Sequence, residues 1–396
     1  MQPFFFNEKT IRPLRIIFAS DRSYILAAHG IWLEPGKETG PGWLRIESGR
    51  VAGSGVGEPP PRTGAELLDL GPVLLVPGLI DTHVHLALDP GDGLDLSARV
   101  ETASDYGLAA VRDGGDKAAQ TLQSRASIQN HFLLAASGQA LHAPGRYGGF
   151  LGRAVADRRD MGRAVMELAE MGADQIKIIA SGPVALNAYG RVGPPQFEAD
   201  DLGHLVALAR EAGLKVMAHA NGPEAVPSCL QAGAASIEHG YFMGDQALRL
   251  LAETGAAWAP TIQPLAALAE REPDGSARPS LIKRIIQHQV DQLNRAGELG
   301  VEVVMGTDAG SPGVRAGAGL AREMSWWRQA GFSGEAILAA ATFRAATLLG
   351  KTDILGSFRP GRLAFVVGLS SEEPLAEAIL KPPLVTARPN LAGGGV

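Results

Sequence analysis

One cysteine, Cys229, stands in a chain of 396 residues. No internal disulfide can form, so the core alone must hold the fold, and a cytoplasmic setting is the default. An inert buried thiol is the expected state of Cys229. The chain also lacks a basic cluster: 36 Lys and Arg face 42 Asp and Glu, for a net charge of −6. That balance excludes a nucleic-acid or anionic-membrane surface built on electrostatics. No apolar run is long enough to span a bilayer. Met1 to Phe6 is followed by Asn7, Glu8 and Lys9, the wrong order for a secretory signal. A Gly-x-Gly-x-x-Gly turn after the first strand of the main domain is missing too, which removes the usual mark of a dinucleotide site. A small-molecule substrate is the remaining kind of partner, and a homo-oligomer is compatible with the composition.

What is present is an alternation of strands and helices, flanked by short β-rich pieces. Residues 1–24 match nothing later and read as an N-terminal extension. Residues 25–73 hold strand-like pieces around Ile25, Trp43 and Val51, separated by Pro35-Gly36 and Pro41-Gly42. From residue 74 to 349, strands are expected at 109–113, 132–136, 175–179, 215–219, 235–239, 256–260 and 301–308. Amphipathic helices are expected at 161–171, 199–212, 245–254 and 281–299, with a last one at 334–349. Together with the strand before His85 this gives eight β/α steps, the count of a (β/α)8 TIM barrel. Residues 362–368 read as a strand that returns to the first pieces. The fold class expected is therefore α/β, a barrel at 74–349 with a small β-sandwich domain from both chain ends (25–73 and 350–385), then a flexible tail at 386–396.

The strand ends carry the chemistry. His83 and His85 are two apart, so on a strand both side chains leave the same face. Two imidazoles on one edge are half of a divalent metal site. Alone they are weak evidence. In a barrel, however, functional side chains gather at the C-terminal strand ends. Reading those ends adds Lys177, His219, His239 and Asp308. Four of the nine histidines thus fall on one rim. Lys177 lies in the apolar run Ile176-Lys177-Ile178-Ile179, a costly place for a bare ammonium. It either snorkels or pairs with Asp308 or Glu238, or, as a neutral amine, reacts with carbon dioxide to form a carbamate that bridges two cations. Arg112-Asp113 reads as a structural ion pair.

Five blocks carry a resemblance: Pro77-Gly78-Leu79-Ile80-Asp81 before His83-Val84-His85, Gln175 to Gly182, Ala218-His219-Ala220-Asn221-Gly222, Ile237-Glu238-His239-Gly240 and Gly306-Thr307-Asp308-Ala309-Gly310. From about Ile25 to Leu375 the chain resembles the metal-dependent amidohydrolase superfamily, in its prolidase-like branch of Xaa-Pro dipeptidases with a carboxylated lysine. The resemblance implies two divalent ions, normally Zn2+. His83, His85 and Asp308 would hold the first and His219 and His239 the second, with the CO2-derived carbamate on Lys177 between them. It implies hydrolysis of a C–N amide bond by a metal-bridging hydroxide, with Asp308 as the catalytic proton carrier.

The candidate substrate contacts are His142, Arg146, Tyr147, Tyr241 and Arg315. Arg146, Arg191 or Arg315 could clamp a carboxylate with a bidentate fork. Where relatives often have Gly-Gly-His-Gly, this chain has His142 earlier and Arg146-Tyr147 instead, and Phe365 replaces a usual Asp. A dipeptide, an N-acyl amino acid and a cyclic amide all fit. A mononuclear deaminase of the same superfamily is the second enzyme reading, and a non-catalytic barrel scaffold a third.

Overall fold

A computed structural model of the chain describes residues 13–37, 39–273 and 276–391. Eight strands form one sheet at the edge of the molecule. Its order is Leu14–Phe18, Val385–Pro389, Val366–Ser370, Val73–Pro77, Ser23–Ile31, Gly40–Glu47 and Arg50–Val56, with Glu66–Asp69 paired to Ser23–Ile31 beside this path. Alternating apolar residues line its core, among them Phe18, Leu26, Ile31, Leu44, Ile46, Leu75 and Val366.

Two expectations about the chain ends need correction. Residues 1–12 of the expected extension lie outside the described residues, but Leu14–Phe18 is no loose arm. It runs parallel to Val385–Pro389, in register from Leu14 opposite Val385 to Phe18 opposite Pro389. Phe18 is fully buried and its ring lies 5.2 Å from that of Tyr24. The same pairing corrects the expected tail as far as Pro389; residues 392–396 lie outside the described residues.

The main domain is parallel. Leu79–Val84, Leu108–Asp113 and Leu133–Ala136 form one sheet. Ala140–His142, Gln175–Ile179, Lys215–Ala220, Ser236–His239 and Ala257–Ala259 run side by side in a second, with Gly152–Ala154 at its edge. A backbone bond joins the two: Asp174 N, just before Gln175–Ile179, donates to Ala136 O at 2.9 Å. The expected strand at 301–308 is not continuous. It carries an isolated bridge between Trp258 and Val303 and another from Ala309 to Val84. Even so, Val304 N donates to Trp258 O, Thr82 N to Met305 O, and Asp308 N to His83 O, so this segment lies between the last strand and the first. The whole is a TIM-barrel-type α/β fold mixed with a separate sheet.

The helices follow from their apolar spacing. Arg158–Glu170 buries Met161, Ala164, Val165 and Leu168, a helical stripe. It starts three residues earlier than its periodicity predicts because Asp157 caps it, accepting from Asp160 N at 2.8 Å. Ala199–Glu211, Gly244–Thr254 and Arg278–Glu298 match their expected spans within a few residues. The predicted helix at 334–349 is two, Gly334–Ala340 and Phe343–Leu348. At the break, the carbonyls of Ala340 and Ala341 accept from Met305 N and Ile80 N, so a helix bond is exchanged for two bonds to segments of the main domain. Among the described residues no helix is long and apolar enough to cross a membrane.

The small sheet and the barrel meet at Gly107. Its φ is +79°, and a Cβ there would lie 2.2 Å from Val367 Cγ2. Gly107→Ala combines backbone strain with overpacking and is expected to cost about 2–4 kcal/mol. Urea unfolding followed by circular dichroism measures it.

Candidate active site at the strand ends

His83 is the penultimate residue of the strand Leu79–Val84 and His85 follows its end, their ring centroids 5.4 Å apart. Asp308 reaches the same point from the neighbouring segment. Its Oδ1 lies 3.4 Å from His83 Nε2 and 3.5 Å from His85 Nε2. Four donors placed tetrahedrally at about 2 Å around one ion are about 3.3 Å apart, so these three fit a shared cation. His83, His85 and Asp308 form a group able to hold a metal ion, all with ligand atoms within 4.8 Å of one another.

The other expected ligands lie alongside. The His239 ring is 5.0 Å from that of His83, and the His219 ring is 4.5 Å from that of His239. Lys177 is fully buried and does not snorkel; its Nζ lies 3.4 Å from His83 Nε2. All six rim residues expected as ligands are thus brought together.

Second partners orient the rings. His83 Nδ1 is 2.8 Å from Glu238 Oε2, His85 Nδ1 is 2.8 Å from the Gly115 carbonyl, and His239 Nδ1 is 2.6 Å from Thr261 Oγ1. A carbonyl or carboxylate can only accept, so for His83 and His85 the Nε2 lone pair is left facing Asp308. Asn221 Nδ2 donates to His219 Nε2 at 3.3 Å. Asp81 braces the base of the site, accepting from His83 N, Thr307 N and Thr307 Oγ1.

Burial dominates the electrostatics. It pushes His85 and His219 down to about 3, with the positive charge of Lys177 acting the same way. His83 and His239 are held well below the usual histidine range, first by burial. Burial also lowers Lys177, against the pull of Glu238 and Asp308. Asp308 is raised by burial, opposed by Lys177. The four imidazoles are therefore held neutral, the form that binds a cation.

Backbone strain gathers here as well. Among the described residues six non-glycine positions have positive φ, and His239 (+69°), Phe242 (+56°), Thr261 (+47°) and Asp308 (+54°) are four of them. The carbonyl of His239 is held by Trp258 Nε1 at 3.0 Å and Gln289 Nε2 at 2.5 Å, which offsets its unusual conformation.

The substrate contacts expected from sequence separate into two groups. Tyr147 lies over the site, its ring 5.4 Å from that of His219. Burial, with the charge of Asp308, pushes its hydroxyl up to about 12, so it stays protonated. Tyr241 is buried and its hydroxyl is committed to the Thr261 carbonyl at 3.1 Å. His142 is buried too, with Nδ1 2.9 Å from the Ala143 carbonyl. Arg146 and Arg191 are exposed, and Arg315 Nε lies 4.0 Å from Asp92 Oδ2.

The expected Arg112–Asp113 ion pair is corrected. Arg112 points into the barrel and pairs with Glu238 at 2.7 Å, whereas Asp113 accepts from the backbone of Leu86 and Gly115. Neighbouring strand residues alternate faces, so adjacent charges cannot meet there. From the sequence Glu238 is expected only as a partner of Lys177. The signal for its larger role was a carboxylate inside an apolar barrel strand, which demands a buried cation.

A hairpin not foreseen as structure covers one side. Residues 182–193 fold back through a bridge between Val184 and Val192. At its tip the Tyr189 ring meets Phe242 at 5.3 Å and His288 at 6.2 Å, and the Arg284 guanidinium lies 4.4 Å over it. The hairpin thus runs from the strand of Lys177 to the loop after His239, past His219.

The amidohydrolase family model matches residues 74–389. The chain belongs to the amidohydrolase family. It is 29% identical over 287 residues to an uncharacterised protein of Mycobacterium tuberculosis, covering 70% of this chain and 75% of the relative. Among solved structures it is similar to an Xaa-Pro dipeptidase with bound methionine in its active site, at TM-score 0.81 and 22% identity over 92% of this chain and 98% of that one. A prolidase complexed with N-methylphosphonate-L-proline gives TM-score 0.76 and 23% identity over 92% and 97%. These two likenesses establish a shared fold. Family membership makes this amidohydrolase a hydrolytic enzyme acting on C–N bonds, of a metal-dependent superfamily.

Two outcomes follow from the geometry. Below about pH 6.5 the unfolded chain protonates His219, whereas the folded chain, with a pKa of about 3, does not. Native stability therefore falls on this account as pH drops from 6.5 toward 3. In chelator-treated protein, His219→Asn is expected to gain about 2 kcal/mol relative to the parent between pH 7 and pH 5, measured by urea midpoints. Separately, Tyr189→Ala is expected to release the hairpin and speed tryptic cleavage after Arg191 severalfold, read by mass spectrometry.

Proposed function

We propose that His83, His85 and Asp308 hold one divalent ion and His219 and His239 a second, with Lys177 carboxylated between them and zinc as the metal. The fold carrying them is read as a closed eight-step barrel, with the small sheet curling into a sandwich. The enzyme hydrolyses an amide bond of a small substrate, namely a dipeptide, an N-acyl amino acid or a cyclic amide. One observation carries the reading: a buried rim of imidazole and carboxylate donors, with the amine of Lys177 3.4 Å from His83 Nε2.

A bound metal pair would polarise the substrate carbonyl and lower the pKa of water toward neutrality. The chain's own groups do the rest. Asp308 turns Oδ1 toward His83 and His85 while Ser311 Oγ donates to its Oδ2 at 3.0 Å. Raised by burial, this carboxylate can take a proton and pass it to the leaving nitrogen. Tyr147, kept protonated over His219, donates to the substrate. His142 and Tyr241 shape the wall behind it, and Arg146, free in the loop before Tyr147, or Arg315 at the opposite rim, takes a substrate carboxylate. The lone buried thiol of Cys229 supports a cytoplasmic location.

A mononuclear deaminase is favoured by one fact: among the described residues, the donors that share ion-binding distances are three, His83, His85 and Asp308. Metal counting separates the two readings. Two zinc ions per chain and an intact mass raised by one carbon dioxide are expected, and Lys177→Met is expected to lose the mass increment, one metal and at least about 100-fold in turnover of the best amide in a library. One metal and an unmodified lysine select the deaminase.

A further inference from the structure

Beneath the ligand rim, a polar network crosses the barrel interior. Glu238 and Arg112 come from strands that are not neighbours in either sheet, Ser236–His239 and Leu108–Asp113. Glu238 is fully buried and Arg112 is 4% exposed. The Glu238 oxygens are divided without surplus. Oε1 accepts from Arg112 Nη2 at 2.7 Å and from Ser236 Oγ at 2.5 Å; Oε2 faces His83 Nδ1 at 2.8 Å. The remaining Arg112 nitrogens are committed as well, Nη1 to Ser236 Oγ at 2.8 Å and Nε to the Thr82 carbonyl at 2.6 Å. Thr82 is the chain neighbour of His83, so the network leaves one strand, crosses the barrel and returns to it.

We propose that Glu238, locked by Arg112 and Ser236, is the positioning residue that fixes the tautomer of His83 and so selects Nε2 as the nitrogen offered to a metal. The inference deepens the metal-centre reading and rests on it for its functional consequence. The reasoning is one of hydrogen count. Oε1 already takes Arg112 Nη2 and Ser236 Oγ, which leaves Oε2 to accept the ring hydrogen, placed on Nδ1. Because Oε1 already has two donors, the carboxylate cannot turn away from His83. The guanidinium offsets the charge that would otherwise make a buried carboxylate costly, which is why the network needs both strands. Second partners of this kind fix ring orientation and affect metal affinity by about 10- to 100-fold.

Glu238→Gln tests the assignment. If the amide oxygen faces His83, its NH2 confronts Arg112 and Ser236. If it turns, the NH2 donates to Nδ1 and drives the ring hydrogen to Nε2, where it blocks a ligand. Histidine-selective 15N labelling of chelator-treated protein, with two-bond proton–nitrogen spectra, reads the tautomer directly. The His83 signals are identified by their loss in His83→Asn. The parent is expected to show hydrogen on Nδ1, and Glu238→Gln to show it wholly or partly on Nε2. Zinc affinity, by competition with a chromophoric chelator, is expected to fall 10- to 100-fold. Glu238→Asp keeps a charge beside Arg112 but withdraws the acceptor from His83, and is expected to loosen the tautomer as well, so the test stands if the Gln variant fails to fold. An unaltered tautomer in the variants that fold overturns the assignment. Failure of the parent to take up zinc would refute the metal centre instead, because the tautomer comparison is made without metal.

Discussion

Loss of water at the C-terminal end of the barrel pushes the histidines, the lysine and the aspartate there toward their neutral forms. Four imidazoles are held below their ordinary range, an ammonium is lowered and a carboxylate raised, each mainly by burial. Such a cluster is expensive to assemble unless something else supplies the charge that these groups give up. A divalent cation would do that, and neutral imidazoles are the form it binds. The other arrangements at the site serve this constraint: Glu238 and Gly115 take the outward ring hydrogens, Asp81 holds the backbone beneath, and Trp258 and Gln289 keep His239 in a strained conformation.

The rim was legible in the sequence because its residues break a pattern. Lys177 interrupts an apolar run, His219 closes one, and His83, His239 and Asp308 stand at the ends of expected strands, where polar groups need a reason. The strand-and-helix alternation was legible for the same cause, since parallel strands covered on both faces read as short apolar runs. What was not legible depends on partners far apart in the chain. The Arg112–Glu238 pair spans the barrel, and neither residue names the other. The split of the last helix near Thr342 arises because two carbonyls are needed by Met305 and Ile80. The segment around Val303 looked like a strand from its β-branched residues, but Gly306 must pass within contact of His83 and Asp308 must turn to positive φ, so regular pairing ends there.

Loops were the least readable part. Arg146, Arg191 and Arg315 share a chemistry and all three are exposed, Arg315 beside Asp92. Tyr147 differs in that the structure seats it over His219, a placement carried by Gln196, whose side chain bonds both the Ala143 amide and the Tyr147 carbonyl. The Tyr189 hairpin shows the same reliance on distant partners: its ring contacts come from the loop after His239 and from a helix about one hundred residues on. The loops are thus placed by contacts between loops, and the rim by residues fixed by strands.

The pairing of Leu14–Phe18 with Val385–Pro389 has a temporal side. During synthesis the early strand has no neighbour on that edge until nearly the whole barrel has been made. Contacts of such long sequence separation form slowly, because chain closure must come before they contribute. The barrel can gather its own local β/α contacts meanwhile, so pairing at this edge of the small sheet comes after them.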